Sequence, residues 1–444
     1  MTDSTPIRPA RTLQGTLSMP PDKSISHRCA LAALLSENTT TIHGYLPAED
    51  TRATLDAVES FGARVERLRA PATTVRITGV GLQNPVEPDD VVDAHNSGTL
   101  IRIILGVAAG FGGFACFTGD TSLRSRPMGR VVGPLGGMGA EIRGVSGGAR
   151  LPLAVLGNGG GLRGGEHEIP VASAQVKSSL LFAGLFANGP VSVVEPGRSR
   201  DHTERLLRAC GVAVGEWELP GGRRRVRIEP PGGLEVPPEV VVPGDISSAA
   251  FWVAAGLVVP GSEVRIRGVG LNPTRRGFLD ILRRMGADVE VSGVREDRVG
   301  EPVGDLVVRY CGEALRGARV GAADVPGAVD ELPLLALVGA FAEGETVVEG
   351  ARELRVKETD RISVVCEEFR KVGVEIEERE DGFVVSGGGG VRGGRASSRG
   401  DHRLAMGLGV AALASREGIE VEDMAASAVS YPDFMGDLEQ VACW

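Results

Sequence analysis

Phe278–Ser292 reads FLDILRRMGADVEVS: a helical stretch, a glycine at 286, then residues that alternate apolar and polar. The glycine suits a left-handed helix cap, a backbone conformation that residues with a Cβ avoid. The alternation is that of a half-buried strand. Four other segments repeat the pattern: TLDAVESFGARVERL (54–68), VVGPLGGMGAEIRGV (131–145), TERLLRACGVAVGEW (203–217) and VCEEFRKVGVEIEER (365–379). The closing glycines Gly62, Gly139, Gly211, Gly286 and Gly373 stand 77, 72, 75 and 87 residues apart. Any α/β chain contains some helix–glycine–strand joints, but unrelated joints would not keep so even a spacing, so we read an internal repeat. A sixth helix falls in PDFMGDLEQVACW (432–444), and RTLQGTLSMP (11–20) can supply that unit's strand from the other terminus. Six units divide into two domains of three. Proline-rich EVPPEVVVPGD (235–245) marks one boundary and SMPPDK (18–23) the other. Residues 21–243 are therefore expected to form an N-terminal domain, and residues 1–20 with 244–444 a discontinuous C-terminal one.

Composition limits the function. At 444 residues the chain can bury large cores, and 42% hydrophobic with 24% charged residues is the balance of an ordinary globular protein. Its 64 glycines, with only 4% aromatics, suit many tight turns between packed elements. A net charge of −10 argues against nucleic acid as partner, so any anion site must be local. There is no signal-like run and no stretch long enough to cross a membrane, so the cytoplasm is the expected compartment. The six cysteines are scattered without CxxC pairs, which favours buried free thiols over metal or disulfide roles.

The informative residues lie at the starts of Ala- and Leu-rich helices expected over 23–36, 99–109, 174–187, 246–257, 331–342 and 402–414. In PPDKSISHRCALAALL (20–35), Lys23 and Ser24 occupy the first turn, and Ser24 and Arg28 share a face. Free N–H groups at a helix start already favour an anion. Taken alone, this segment reads as a solvated basic face. But the arrangement recurs: Gly98 and Arg102 in HNSGTLIR, Arg124, Arg126 and Arg130 in RSRPMGR, Ser173, Gln175 and Lys177 in ASAQVKSSLL, Arg198 and Arg200 in GRSRDHTERLL. The second half adds Lys357 and Arg361, four apart in RELRVKETDRIS, and Arg403 after an Asp401 cap in RGDHRLAM. Seven such starts in an acidic chain imply a ligand with two or more anionic groups. Asp330 and Glu331 in GAVDELPLLAL, and Glu358 between Lys357 and Arg361, are acid/base candidates; helix capping and a surface ion-pair network are the plain alternatives. His27 and His402 lack ligand spacing, and no GxGxxG or P-loop indicates a nucleotide cofactor.

Read in order, PDKSISHR, NSGT, RPMGR, SAQVKS, SRDHTE, PGDISSAAF, NPTR, DELP, LRVKETDR, GDHRLAM and SYPDFM resemble the EPSP synthase family nearly end to end, in its bacterial class II branch. The resemblance implies an inside-out α/β barrel fold, two similar domains of three βαβαββ units each, with helix starts facing the gap between them. It implies transfer of the enolpyruvyl group of phosphoenolpyruvate to the 5-hydroxyl of shikimate-3-phosphate, on the route to chorismate, with no metal or redox cofactor. Partners are then the two substrates, without nucleic acid or membrane, and the chain acts as a monomer. Carried over by position, Lys23, Ser24 and Arg28 touch both substrates. Ser173, Ala174, Gln175, Arg200 and Lys357 bind shikimate-3-phosphate, and Gly98, Arg126, Arg361 and Arg403 bind phosphoenolpyruvate, which Gln175 also touches. Asp330 becomes the base for the hydroxyl and also a substrate contact, and Glu358, with Lys23, the proton donor to the methylene.

Two departures matter. Many members carry a lysine just before the C-terminal aromatic–proline pair, where this chain has Val429 in SAVSYPDF. Gly98 is the residue of glyphosate-sensitive members, so inhibition by glyphosate is expected, although Ile103 stands where proline is commoner. Two rival readings remain at this point. A UDP-N-acetylglucosamine enolpyruvyl transferase shares the fold, but its reactive loop cysteine has no counterpart in TGDTSLRSRP (118–127), and Cys116 in FACF is expected to pack in a core. A non-catalytic anion-binding protein would not need Asp330 and Glu358 beside its anions.

Overall fold

The computed structural model describes residues 4–68 and 73–444. Among the described residues the strands form six sheets, and the chain divides into two compact units. One unit is Pro21–Val242 with Glu296–Glu301; the other is Met1–Pro20, Pro243–Arg295 and Pro302–Trp444. Each has its own apolar core. No helix among the described residues is long and apolar enough to cross a membrane.

In the first unit the same sheet recurs. Val92–Asp93 runs parallel to Phe114–Thr118, which pairs antiparallel with Arg150–Leu156, itself antiparallel to Glu141–Gly144. Gly165–Glu168, Val191–Glu195, Arg224–Ile228 and Val214–Glu218 follow that order again. In the remaining sheet, Thr39–His43 takes its parallel partner, Glu239–Val241, from the far end of the segment. The parallel pairs need crossovers, and helices supply them. Helices Lys23–Leu34, Gly98–Gly110 and Ala174–Gly184 are apolar on most faces because they are buried on most faces. A Cβ on Gly106 would lie 2.0 Å from the Ser179 carbonyl oxygen, so a glycine there lets two of these helices meet backbone to backbone.

The second unit repeats the plan. Arg319–Val320, Glu345–Val348, Gly382–Ser386 and Glu375–Arg379 make one sheet. In another, Glu263–Gly270 is flanked by Thr12–Ser18 in parallel and Pro302–Arg309 antiparallel, with Ala442–Cys443 at the edge. The last sheet corrects the sequence reading. Its third strand is Ser4–Ile7, antiparallel to Ile419–Glu422; Thr12–Ser18, expected to complete the sixth unit, instead opens the fourth. Helices Ile246–Val258 and His402–Leu413 are buried here, beside stacked Trp252 and Phe434, with the Tyr431 ring nearly perpendicular to both.

The five punctuating glycines Gly62, Gly139, Gly211, Gly286 and Gly373 have φ of +96°, +99°, +83°, +90° and +89°. That is the left-handed cap their spacing predicted. Other boundaries moved. Pro333 has no N–H to give, and the helix expected over 331–342 starts as a 3-10 turn, Leu332–Leu334, before Leu335–Phe341. Residues 352–363 are a 3-10 turn Arg352–Val356 and a separate helix from Arg361, so Lys357 and Arg361 do not share a helical face. Glu296–Glu301, read with the second domain, clusters with the first unit. There Val299 and Glu301 are buried, the Glu301 carboxylate lies 2.7 Å from His202 Nδ1, and Arg205 donates to the Gly300 carbonyl at 2.7 Å.

Candidate functional site

The candidate residues form two charged groups, one in each unit. In the first unit, Asp22 caps Lys23–Leu34 by accepting from the Ile25 N–H at 3.0 Å. Lys23 Nζ lies 3.0 Å from Asp50 Oδ2, and half-buried Ser24 gives its carbonyl to Arg28 Nη1 at 2.9 Å. Arg28 is not on a solvated face. It is buried, donating to Thr203 Oγ1 at 2.7 Å and Ser178 Oγ at 2.9 Å. Burial draws its pKa down to about 10, with Glu204 opposing the shift, so it stays charged at neutral pH. Burial also lowers His27 to about 3; that imidazole is neutral and pairs with Thr54.

Gly98 opens its helix behind a Ser97 cap. Arg102 donates to the Gly98 carbonyl at 3.2 Å and to Gln175 Oε1 at 2.9 Å, and Gln175 Nε2 donates to Thr99 Oγ1 at 3.0 Å. Arg126 donates to Asn96 Oδ1 at 2.7 Å. A Cβ on Gly98 would lie 2.8 Å from Arg102 Nη1 and 3.3 Å from Arg126 Nη1, so two guanidinium groups overhang this glycine. Ser173 caps the helix that Ala174 and Gln175 begin. Gly98, Ser173, Ala174 and Gln175 thus belong to two neighbouring helix starts, with Arg126, just past the end of Thr121–Ser125, over the first. Arg200 acts electrostatically on Arg28, helping to lower its pKa. Arg124, Arg130 and Arg198 are exposed, and Arg124 caps the Gly119 carbonyl. Lys177 is not open to an anion: its side chain is 1% exposed and faces two carboxylates.

In the second unit, Asp330 stands among three cations: Lys357 Nζ at 3.5 Å, Arg361 Nη1 at 3.6 Å and Arg403 Nη2 at 3.8 Å. Arg403 Nη1 also reaches the Asp330 carbonyl at 3.4 Å. Arg361 is buried and donates to Glu358 Oε2 and Asp401 Oδ2, each at 2.7 Å. Burial works against its charge, but Glu358 and Asp401 more than reverse this and raise its pKa. Asp401 caps His402–Leu413 through the Arg403 N–H. Burial would push Asp401 up; Arg361 outweighs it and holds the carboxyl below its ordinary range. Glu331 is buried, accepting from Ser247 Oγ and standing 3.8 Å from Arg403 Nη1.

The sequence reading named neither Asp50, Glu195 nor Glu204. Glu195 ends an apolar strand run, VSVVE, which is a weak signal of a buried charge; Asp50 and Glu204 sit in first turns, where carboxylates are commonplace. Val429 is exposed at the end of a 3-10 turn, and neighbouring Tyr431 is buried. Cys116 is half-buried on its strand, not in a core, and Cys443 is exposed.

Both groups can hold anionic oxygens, through guanidinium and ammonium donors and helix-start N–H groups. The second group also offers carboxylates able to exchange a proton.

A profile described as EPSP synthase (3-phosphoshikimate 1-carboxyvinyltransferase) matches residues 7–438. The chain is 48% identical to the 3-phosphoshikimate 1-carboxyvinyltransferase of Syntrophotalea carbinolica, over 98% of both chains. It is 47% identical to that of Synechococcus sp. strain JA-3-3Ab, over 98% of this chain and 96% of the relative. Among solved structures, EPSP synthase from Acinetobacter baumannii superposes with a TM-score of 0.87 at 36% identity, covering 100% of this chain and 98% of that one. The enolpyruvyl transferase NikO from Streptomyces tendae shares the fold, with a TM-score of 0.76 at 18% identity over 98% and 96% of the two chains.

Proposed function

The chain belongs to the EPSP synthase family, and on that premise we propose how its residues divide the transfer of an enolpyruvyl group from phosphoenolpyruvate to the 5-hydroxyl of shikimate-3-phosphate. It is an enzyme, a transferase of the shikimate pathway. Glu358, with Lys23 as second candidate, protonates the methylene of phosphoenolpyruvate. The oxocarbenium-like carbon is attacked by the 5-hydroxyl, whose proton goes to Asp330. Loss of phosphate from the tetrahedral intermediate, with return of a methyl proton to Glu358, then restores the double bond. Arg361 and Arg403, with Gly98 and Arg126, hold the donor's phosphate and carboxylate; Ser173, Ala174, Gln175, Arg200 and Lys357 hold the acceptor. Ser24 and Arg28 touch both.

The observation that carries this reading is Asp330 with Lys357, Arg361 and Arg403 all within 4 Å. A carboxylate able to accept a proton stands among cations able to hold the donor's anions. That is the combination an addition–elimination between charged substrates requires. We also propose that the chain works as a cytoplasmic monomer, and that glyphosate inhibits it. A methyl group on Gly98 would press on Arg102 and Arg126, so Gly98→Ala should weaken that inhibition about tenfold or more.

The test is phosphate release from phosphoenolpyruvate with shikimate-3-phosphate or UDP-N-acetylglucosamine as acceptor. Turnover with shikimate-3-phosphate alone is expected. Turnover with the nucleotide sugar, or with neither acceptor in a folded protein, would overturn the assignment.

A further inference from the structure

One buried ammonium in the first unit is unexplained by substrate contact. Lys177 Nζ lies 2.8 Å from Glu195 Oε1 and 2.7 Å from Glu204 Oε1, and none of the three side chains is more than 1% exposed. Burial pulls the ammonium's pKa down, but Glu204 and Glu195 more than reverse this and leave it above its ordinary value. A lysine enclosed this way is closed to solvent and ligand. Its partners, however, lead to three segments assigned above to the substrates.

Lys177 itself belongs to the helix begun by Ser173, Ala174 and Gln175, and its N–H bonds the Ser173 carbonyl at 3.0 Å. Glu195 accepts from the Ser199 N–H at 3.4 Å and from its hydroxyl at 2.5 Å, fixing the residue next to Arg200. Glu204 follows Thr203, whose hydroxyl accepts from Arg28 Nε and meets Ser178 Oγ at 2.6 Å. Glu204 is also the strongest charge acting to keep Arg28 protonated.

Lys177, Arg28, Glu195 and Glu204 therefore form a buried group of two cations and two carboxylates. While Lys177 occupies both carboxylates, Arg28 is held by neutral groups, two hydroxyls and a carbonyl, and its charge remains available to an anionic ligand. Without Lys177, the two buried carboxylates would lose the cation that contacts both. Arg28 and Arg224, on which the charge of Glu204 already acts, would be drawn to them, and in a water-poor site that attraction is strong.

We propose that Lys177 is a positioning residue for acceptor binding: by neutralising Glu195 and Glu204 it keeps Arg28 directed at substrate and the Arg200 loop in place. This rests on the reading of Arg28 and Arg200 as substrate-holding residues, and it accounts for SAQVKS and SRDHTE as two halves of one network.

The test compares steady-state constants and thermal unfolding for Lys177→Met, Lys177→Met/Glu204→Gln, Glu204→Gln and Arg28→Ala. In Lys177→Met, KM for shikimate-3-phosphate should rise about tenfold or more, with kcat changed about threefold at most. Adding Glu204→Gln removes the carboxylate that competes for Arg28. KM should then return to within about threefold of wild type while the unfolding temperature stays low, a rescue that lost packing alone would not give. Glu204→Gln alone lowers the buried charge and serves if Lys177→Met does not fold; its KM should not exceed the wild-type value. A folded Lys177→Met with unchanged KM, a double variant no better than the single, or a KM in Glu204→Gln raised about tenfold would each overturn the proposal. An unchanged KM in Arg28→Ala would take down the site reading and this inference together; a raised KM there beside a normal Lys177→Met would remove the inference alone.

Discussion

The two units handle charge in opposite ways. In the first, one ammonium is clasped at 2.7 and 2.8 Å by two enclosed carboxylates. In the second, one carboxylate, 13% exposed, has three cations around it at 3.5, 3.6 and 3.8 Å. Desolvated charges must be paired tightly, because each unpaired one costs several kcal/mol. Charges that meet a ligand must instead keep pairings they can exchange, since a cation locked to a protein carboxylate has little left to offer a phosphate. Close contacts between fully enclosed charges therefore read as scaffold and the loose ones around Asp330 as site. Lys23, 3.0 Å from Asp50, and Glu358, 2.7 Å from Arg361, are partly exposed site residues that keep closer pairs. Arg361 joins both roles, with 2.7 Å contacts to Asp401 and Glu358 and a looser one to Asp330.

The largest expected effect breaks the loose side. Asp330→Asn keeps shape and most packing but removes the proposed base, so kcat should fall by about 10² to 10⁴ with little change in unfolding temperature. Phosphate release in a single turnover reads this directly, and a loss below about tenfold would end the assignment of Asp330 as base. The next effect breaks the tight side. Lys177→Met strands two buried carboxylates and should cost about 3–5 kcal/mol in denaturant unfolding. Lys357→Met, whose lysine is 22% exposed and loosely paired, should cost less than about 1 kcal/mol. Equal losses at the two lysines would erase the distinction.

The same contrast explains what was legible beforehand. Helix–glycine–strand joints are local: the helix, its left-handed cap and the alternating strand are encoded within fifteen residues, as at Phe278–Ser292, and all five closing glycines have the expected φ. Candidate residues at helix starts were legible for the same reason. The parts supplied at long range were not. Ser4–Ile7 is four residues with a proline, too short to show alternation, and only its register with Ile419–Glu422 makes it a strand. Lys177 resembled any basic residue after a cap, because its partners lie 18 and 27 positions away and the fold delivers them. The four-residue spacing of Lys357 and Arg361 suggested one helical face; a break in the helix puts both at Asp330 by another route.

A third experiment follows a carboxylate in the second unit. Asp401 has a lowered folded pKa because Arg361 outweighs burial. A lowered carboxylate pKa contributes stability above the unfolded value, about 4, and that contribution is lost as pH falls through the folded value. Asp401→Asn should therefore cost about 1–3 kcal/mol at neutral pH, and the gap to wild type should narrow as pH falls below about 4. A gap independent of pH would mean that the cap, not the charge, matters.

The smallest effect has the opposite sign and belongs to the first unit. Burial pushes Asp297 up to about 6; the Glu301 and Val299 N–H groups oppose this, and the charges of Glu301 and Glu296 add to it. A carboxyl whose folded pKa lies above its unfolded one binds its proton more tightly when folded. Stability is then full below about pH 4 and falls as pH rises through about 6. Asn at this position keeps a carbonyl oxygen for the Val299 and Glu301 N–H groups, which now bond Asp297 Oδ1 at 2.9 and 2.8 Å, and carries no charge. Because the side chain is partly solvated, the full shift overstates the cost, and Asp297→Asn should gain about 1 kcal/mol at pH 8. It should gain nothing at pH 4. Urea melts at the two pH values decide it: a variant weakened equally at both would show that the Glu296–Glu301 turn depends on carboxylate hydrogen bonds, and that its charge is not the burden inferred from burial.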